Sequence, residues 1–341
     1  MPAFSSGPAL ASRRLVGKTL FASLIAAGMV VASLGAGSVQ AQTYPSKPIR
    51  LIAPFLPGGT VDNVSRAVSV HLAENLGQQV IVENRSGASG NIGAAYVASA
   101  PPDGHTLLLT ASTVIANPLV MKEKPAYGSH RNFTPLGQVA STPLVFVVSP
   151  NSGINTVKDF IQHAKAHPKE VNFGVGGFGS GGHLAMESFN VETGTAIPMI
   201  IYKGSAQTLT DIAGGQVTAM LEPIGTSLPF ITSGRLKAIA VTGETRNALL
   251  PDVPTLSEAG VDNIDFVSWY GLWAPPGLPA DIAERIQQAL TASLNQPEMQ
   301  KWLAQQGLNA GKTTGKAFEK LANDEYDRAE RVVKAAGINK H

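Results

Sequence analysis

A glycine-rich stretch in the middle of the chain has the spacing of a nucleotide-binding turn. Gly174, Gly176 and Gly179 form a G-x-G-x-x-G pattern that follows an apolar run and precedes a helical pattern. Glycines at this spacing let backbone N–H groups approach a ligand closely, and the following helix adds the positive end of its dipole. The chemistry offered is the binding of an anion, either the pyrophosphate of a dinucleotide or a smaller acid.

Two observations weigh against a dinucleotide. Such a site has an Asp or Glu about 20 residues further on, at the end of the next strand, where it holds the ribose hydroxyls. Here residues 200–204 read IIYKG, without an acid. The first 41 residues also have the features of an export signal, and no nicotinamide pool is expected outside the cytoplasm. A carboxylate therefore suits this loop better than a dinucleotide.

Two further loops offer the same backbone chemistry. Residues 55–62 (FLPGGTVD) lie between a strand and a helix, and residues 202–207 (YKGSAQ) end another strand. A plain turn is an equally good interpretation of any one of these loops, but three in one exported chain favour a ligand site. If the sheets face each other across a cleft, the loops lie at the carboxyl ends of strands, where doubly wound folds bind ligands. Asp62 is expected to accept backbone N–H bonds rather than to contact the ligand.

The residues that could support hydrolysis or metal chemistry lack the necessary neighbours. Ser180 is not in a G-x-S-x-G elbow, because Phe178 stands two residues before it, so its hydroxyl is expected to donate to a ligand. His163 and His167 have the i, i+4 spacing of metal ligands, but no third ligand follows and Pro168 ends the helix. We therefore predict neither a metal nor a cofactor.

One histidine and three aromatic residues lie close to the predicted cleft. His183 is expected to pack at the start of its helix, with a polar role near the pocket as the alternative. Trp269, Tyr270 and Trp273 flank a strand that crosses between lobes, and we expect them in the core rather than under a ligand. An aromatic ligand would change that expectation.

The beginning of the chain indicates its compartment. Arg13, Arg14 and Lys18 precede the uncharged run 19–34, and small residues follow up to Ala41. This pattern predicts a secretory signal peptide over residues 1–41, with a permanent membrane span as the weaker alternative. The paired arginines leave the twin-arginine route open beside the general secretory route. The expected location is the periplasm.

The composition excludes several classes of function. Without the three basic residues of this leader, the chain has 23 Lys and Arg and 24 Asp and Glu, so its net charge is close to zero. A chain without excess positive charge gives no sign of nucleic-acid binding. The chain has no Cys, so disulfides, thiolate catalysis and Cys-ligated metals are excluded. Stability must come from packing.

Apolar runs alternate with amphipathic patterns along the chain, which predicts an α/β fold with parallel sheets covered by helices. A chain of about 300 residues is longer than a typical domain with a single hydrophobic core, so two lobes are expected. The predicted strands are 49–54, 79–83, 105–110, 144–149, 171–175, 197–202, 217–221 and 236–242. The predicted helices are 62–75, 91–100, 156–166, 183–192, 280–295, 297–306 and 315–336.

Eight motifs run in the order seen in one protein family. They are YPxxPI at 44–49, PGGxxD at 57–62, VENRxGA at 82–88, PPDGxTL at 101–107, GSxxHL at 179–184, YKGS at 202–205, VPTxxEAG at 253–260 and WxGxxAP at 269–275. With these motifs the mature chain resembles, over essentially its whole length, the Bug-type extracytoplasmic solute-binding receptors of tripartite tricarboxylate transporters.

The resemblance implies a type II periplasmic binding protein with two doubly wound α/β lobes and the ligand cleft between them. Lobe 1 would comprise residues 42–145 and 271–341, and lobe 2 residues 146–270. Closure of the lobes would enclose a small carboxylate, which the receptor delivers to the membrane permease subunits of its transporter. The protein would be a monomer that binds no nucleic acid.

The resemblance also carries ligand-binding positions onto this sequence. They are Pro57, Gly58, Gly59, Thr60, Gly177, Phe178, Gly179, Ser180, Lys203, Gly204, Ser205 and Ala206, with Asp62, Ser112, His183, Glu222 and Trp269 as further candidates. Three departures lie near the expected pocket: Gln207-Thr208 replaces a common Pro-Ala, Glu222-Pro223 replaces a common Asp, and residues 174–177 are unusually rich in glycine.

These departures leave the ligand open among monocarboxylates, dicarboxylates and aromatic acids. The alternative function is an exported enzyme that acts on a small organic acid and uses Glu222, His183 or Ser180 as acid–base groups.

Overall fold

The computed structural model describes residues 1–4, 44–202, 204–264 and 266–338. The predicted signal peptide and its cleavage site lie outside the described residues, apart from residues 1–4. The elements from Tyr44 onward form one contact unit. None of the helices in the described ranges is long and apolar enough to cross a membrane.

Strands and helices alternate through most of this unit. The strands are β1 (Ile49–Ala53), β2 (Val80–Asn84), β3 (Thr106–Ala111), β4 (Thr134–Val148), β5 (Phe173–Val175), β6 (Met199–Ile201), β7 (Ala219–Pro223), β8 (Lys237–Val241), β9 (Val267–Ala274) and β10 (Asn309–Ala310). The helices are α1 (Thr60–Leu76), α2 (Asn91–Ala98), α3 (Thr113–Val120), α4 (Val157–Ala166), α5 (Gly181–Thr193), α6 (Ser205–Ala213), α7 (Ile224–Thr232), α8 (Ala280–Leu294), α9 (Pro297–Gln305) and α10 (Gly315–Ala335).

The strands form a sheet in the order β2-β1-β3-β9-β4-β7-β5-β6, with β8 and β10 also paired to β4. β1 is parallel to β2 and β3, and β5 is parallel to β6 and β7. The α/β class is as predicted, but the prediction of parallel sheets is wrong at the centre. There β9 runs antiparallel to β3 and β4, and β4 runs antiparallel to β7 and β8.

β4 joins the two halves of the sheet because it is 15 residues long. Residues 134–143 pair with β9, whereas residues 144–148 pair with β7 and β8. The predicted strand 144–149 corresponds to the second part alone. Pro135, Gly137 and Pro143 weaken the strand pattern of the first part. The register beside β9 is irregular at Pro135 and Gly137.

The two halves have separate apolar clusters. In the first half α1 and α8 cover one face of the inner strands, and Phe318 of α10 packs with Leu108 on the other. Leu107, Leu108 and Leu109 are therefore all fully buried. In the second half Phe146 packs edge-to-face on Phe160, with ring centroids 4.9 Å apart. Such a pair contributes about 0.5–1.5 kcal/mol beyond its buried area.

Candidate ligand-binding site

The three glycine loops follow β1, β5 and β6, each at the carboxyl end of its strand. The parallel register of β5 and β7 pairs Phe173 with Ala219, so three residues later Gly176 and Glu222 reach the same edge of the sheet. Ligands of open α/β sheets bind at this edge.

The first loop is fixed by a buried carboxylate. Asp62 is 3 % exposed, and its Oδ2 accepts the Gly58 N–H at 3.0 Å, which is the acceptor role expected of this residue. Arg66 and Asn84 donate to the same carboxyl group at 2.9–3.1 Å. Burial acts to raise the pKa of Asp62, but the hydrogen bonds from Arg66, Gly58 and Asn84 outweigh it and hold the pKa below its ordinary value. Asp62 therefore stabilises the turn as a carboxylate.

The three glycines of the G-x-G-x-x-G pattern permit close packing of protein on protein. A Cβ atom at Gly174 would lie 2.3 Å from Thr208, and one at Gly176 would lie 2.5 Å from the Ser205 hydroxyl. At Gly179, where φ is +72°, it would lie 2.5 Å from the amide oxygen of Asn117. The pattern that suggested a nucleotide is therefore explained by the contacts of this loop with α6 and α3.

Open space lies instead beside one glycine of each loop. A Cβ atom at Gly58, Gly177 or Gly204 would meet no atom within 4 Å. These three positions belong to the ligand-binding set carried over from the resemblance. They leave the backbone accessible to a ligand on the side where a side chain would otherwise project.

α1 and α6 both begin without a side-chain cap. Their N-cap residues are Gly59 and Gly204, and neither residue has a side chain that could accept a hydrogen bond from the first helical turn. Ser180, by contrast, caps α5, and its Oγ accepts the His183 N–H at 3.2 Å. Uncapped first turns leave N–H donors that an anion can occupy. Lys203, which precedes Gly204, lies outside the described residues.

His183 holds the second loop in place. The side chain is 2 % exposed, its Nδ1 accepts the Gly179 N–H at 3.3 Å, and its ring packs on Phe178 with centroids 4.6 Å apart. An accepting Nδ1 places the ring proton on Nε2 when the imidazole is neutral. His183 thus stabilises the second loop by its hydrogen bond to Gly179 and its ring contact with Phe178, in agreement with the packing role predicted for the histidine.

Glu222 is buried between the second and third loops. It is 8 % exposed, and Thr226 donates to its Oε1 at 3.1 Å. Burial raises the pKa of Glu222 to about 7, although hydrogen bonding with the Ser205 and Thr226 hydroxyls acts in the opposite direction. Near neutral pH this carboxyl group can therefore donate or accept a hydrogen bond.

Tyr270 of β9 connects the first loop with Glu222. Its side chain is 2 % exposed, and burial raises the pKa of the phenol, an effect to which the charge of Glu222 adds. Ser268 and Thr60 hydrogen-bond with the phenol and lower its pKa. We call Thr60, Ser205, Glu222, Ser268 and Tyr270 the cleft cluster.

The sequence predicts a core position for Tyr270 and indicates no role for Ser268. Residues 268 and 270 share one face of β9 because side chains alternate along a strand, whereas Trp269 points to the other face. There Trp269 packs edge-to-face on Phe318, with centroids 5.6 Å apart, so the expected core position of this tryptophan is confirmed. The Ser-x-Tyr alternation was the available signal. Ser112 is buried and precedes α3.

The described residues contain no group of three or more His, Cys, Asp or Glu side chains that could hold a metal ion. His163 and His167 lie side by side at the end of α4, with ring centroids 4.9 Å apart.

Comparison with known proteins assigns this chain to a family. The description "Tripartite tricarboxylate transporter family receptor" applies to the family that matches residues 64–338. Protein BugT of Bordetella pertussis is 35 % identical over 312 residues, which cover 91 % of this chain and 96 % of BugT.

Three solved structures are similar to this chain, and two of them were solved with an organic acid. An R. palustris protein solved with adipate is 33 % identical, with a TM-score of 0.83 over 87 % of this chain and 100 % of that one. MatC of Rhodopseudomonas palustris with bound malate is 28 % identical, with a TM-score of 0.79 over 85 % of this chain and 100 % of MatC. The periplasmic binding protein BugD is 31 % identical, with a TM-score of 0.80 over 87 % of this chain and 100 % of BugD. The chain belongs to the tripartite tricarboxylate transporter receptor family, and its α/β fold is that of the Bug-type periplasmic binding proteins.

Proposed function

We propose that this protein is a periplasmic receptor that encloses a small carboxylate between two lobes and delivers it to a tripartite tricarboxylate-type permease. The observation that carries the proposal is that two helices without a side-chain cap begin within the cleft cluster, one at Thr60 and the other at Ser205. The Thr60 side chain hydrogen-bonds with the phenol of Tyr270, and the Ser205 side chain hydrogen-bonds with the carboxyl group of Glu222.

The chemistry of the cluster fits an organic acid. N–H groups of the first helical turns and hydroxyl groups of Thr, Ser and Tyr are donors suited to carboxylate oxygens. The relatives solved with adipate and malate support this class, since both are aliphatic dicarboxylates. A monocarboxylate or an aromatic acid would use the same donors at one end only.

The proposed contact residues are those of the three loops, 57–60, 177–180 and 203–206. Within these ranges Gly58, Gly177 and Gly204 would present their backbone to the ligand, because space is open at their Cβ positions. The proposed lobes are residues 42–145 with 271–341 and residues 146–270, which move together on binding.

We propose that the bound acid leaves the protein chemically unchanged. In an enzyme Ser180 and His183 would need to act as nucleophile and base. Here the Ser180 oxygen accepts the backbone N–H of His183, and the Nδ1 of His183 accepts the backbone N–H of Gly179. Both side chains are thus used to hold the loop. The enzymatic alternative remains with Glu222, beside which Tyr270 would have to serve as the second acid–base group. Burial raises the pKa of that phenol far above neutral pH, which makes it a poor partner for acid–base catalysis.

A thermal-shift screen tests the proposal. Residues 42–341 would be unfolded and refolded to remove carried-over solute, then heated with dicarboxylates, tricarboxylates, acidic amino acids and aromatic acids. An acid at 100 times its dissociation constant adds about 2.7 kcal/mol, which raises the midpoint by a few degrees. We expect at least one acid to give this shift and to be recovered intact by mass spectrometry. Consumption of the acid would favour the enzyme, and no shift with any acid would exclude a carboxylate receptor.

A further inference from the structure

Glu222 occupies an unusual position for a site that binds anions. It is the second-last residue of β7, at the sheet edge that also carries the second glycine loop, and it is 8 % exposed. Ser205, the first residue of α6, acts on the Glu222 carboxyl group and also contacts the Gly176 backbone. An anion bound at the start of α6 would therefore be a neighbour of Glu222.

The groups around Glu222 hydrogen-bond with a carboxyl group but do not neutralise its charge. They are the hydroxyl groups of Ser205 on α6 and Thr226 on α7. The phenol of Tyr270 on β9 is close enough for the charge of Glu222 to raise its pKa, and β4 presents Val145 in register. No Lys or Arg of the described ranges acts on this carboxyl group. Lys203 lies outside these ranges. Tyr270 stays protonated near neutral pH because burial raises its pKa.

Two carboxylates placed side by side repel each other, and since no Lys or Arg of the described ranges acts on Glu222, one of the two takes up a proton. A protonated Glu222 can donate its O–H to a ligand carboxylate, whereas an ionised Glu222 can only repel it. Glu222 can take up this proton near neutral pH, because burial already raises its pKa to about 7 in the absence of a ligand.

We propose that Glu222 binds a proton together with the ligand carboxylate, so that this receptor captures an acid and a proton as one unit. The inference rests on the proposed function of the site as a carboxylate receptor. It adds that Glu222 touches the ligand and that its protonation state sets the affinity.

The direction of the pH dependence follows from the charges. Protonated Glu222 binds the anion, so affinity is fully present below the pKa of the unliganded protein, about 7. Above that pH a proton must be taken up on binding, and affinity falls by up to about tenfold per pH unit. A site without a titrating carboxyl group would show no such fall, because carboxylate ligands stay ionised above about pH 6.

Isothermal titration calorimetry between about pH 6 and about pH 9 tests the inference. The probes are adipate, malate and the acid that gives the largest thermal shift in the screen, each in two buffers of different ionisation enthalpy. The difference in heat between buffers counts the protons bound with the ligand. For the unmodified protein we expect proton uptake that approaches one per ligand above about pH 7, and a dissociation constant that rises with pH.

Two variants isolate the residue. Glu222→Gln keeps a donor of the same shape, so we expect low-pH affinity to persist across the range with no proton uptake. Glu325→Gln is the matched control, because Glu325 is also 8 % exposed but lies on α10, and it should keep the pH dependence.

Each remaining outcome decides the matter. Binding of a probe without proton uptake, or uptake that persists in Glu222→Gln, would overturn this inference and leave the receptor function intact. Failure of every probe at every pH would remove the proposed function and the inference together.

Discussion

Neighbouring glycines of the second loop have opposite surroundings. Gly177 is open at its Cβ position, whereas Gly176 is blocked by Ser205. We therefore expect Gly177→Leu to keep the midpoint of unfolding within about a degree and to weaken acid binding tenfold or more, because its side chain would fill the cleft. Gly176→Ala should instead lower stability by about 1–3 kcal/mol through overpacking against Ser205. Calorimetry and thermal unfolding measure the two effects, and normal binding by Gly177→Leu would remove residue 177 from the site.

Asp62 makes a different prediction, one about stability and pH. Asp62→Ala leaves the Gly58 N–H and the Asn84 amide without their buried acceptor, which should cost about 1–3 kcal/mol. The pKa of Asp62 in the folded protein lies below its ordinary value of 3.8. The contribution is therefore fully present above about pH 4 and is lost as pH falls through the folded pKa. Urea unfolding at pH 7 and near pH 3 measures it, and an equal difference between variant and parent at both pH values would contradict the assignment.

At this scale the sequence predicts the kind of site better than its members. The anion chemistry of the loops, the acceptor role of Asp62 and the packing of His183 are all readable from residue type and position. The sequence does not indicate that Tyr270 belongs to the cleft cluster, because an aromatic residue in an apolar strand is typical of a core position. Only the register of β9 shows its phenol between Thr60 and Glu222.

Helix starts differ in function across the fold, and a pair of cap variants separates them. Thr156 caps α4 in a reciprocal bond with Asp159, and Ser180 caps α5. Thr156→Ala and Ser180→Ala should each cost about 0.5–2 kcal/mol. Only Ser180→Ala should also weaken acid binding several-fold, because its cap holds the loop of residues 177–180. Urea midpoints and dissociation constants measured together test this, and equal loss of affinity in both variants would contradict it.

The elements that the sequence did not predict contain proline or lie beside glycine. α3 and α7 include Pro118 and Pro229, which lower the helix signal because a proline inside a helix removes an i→i−4 hydrogen bond. α6 follows Gly204 directly, so its first residues belong to a predicted loop. Buried parallel strands were found from their apolar runs, but pairing direction is a long-range property. The antiparallel crossing of β4 and β9 was therefore invisible in local pattern.

At the scale of the whole molecule, the two predicted lobes are linked by more than the strands. β4 contributes to both halves of the sheet, and α10 packs against α3 on one side and α5 on the other. Relative motion of the lobes must bend or slide these elements together. The loop contact between Gly179 and Asn117 lies where the predicted lobes meet, so it is a point at which closure can be blocked by one added methyl group.

The last prediction uses that contact. A Cβ atom at Gly179 would lie 2.5 Å from the Asn117 amide oxygen, and Asn117 cannot turn away freely because its Nδ2 is bonded to Ser89 and Asn91. We expect the parent protein to contract in small-angle X-ray scattering when an acid binds, and Gly179→Ala to remain extended with weakened binding.

The positive φ at Gly179 also strains an alanine, and this strain is the same with or without Asn117. The double variant Gly179→Ala with Asn117→Ala separates the two causes, since it removes the clash and keeps the strain. Recovery of contraction and affinity in the double variant would assign the defect to blocked closure. If the double variant stays as extended as the single one, the contact does not control closure, and the motion of the lobes must be limited elsewhere, with α10 as the next element to test.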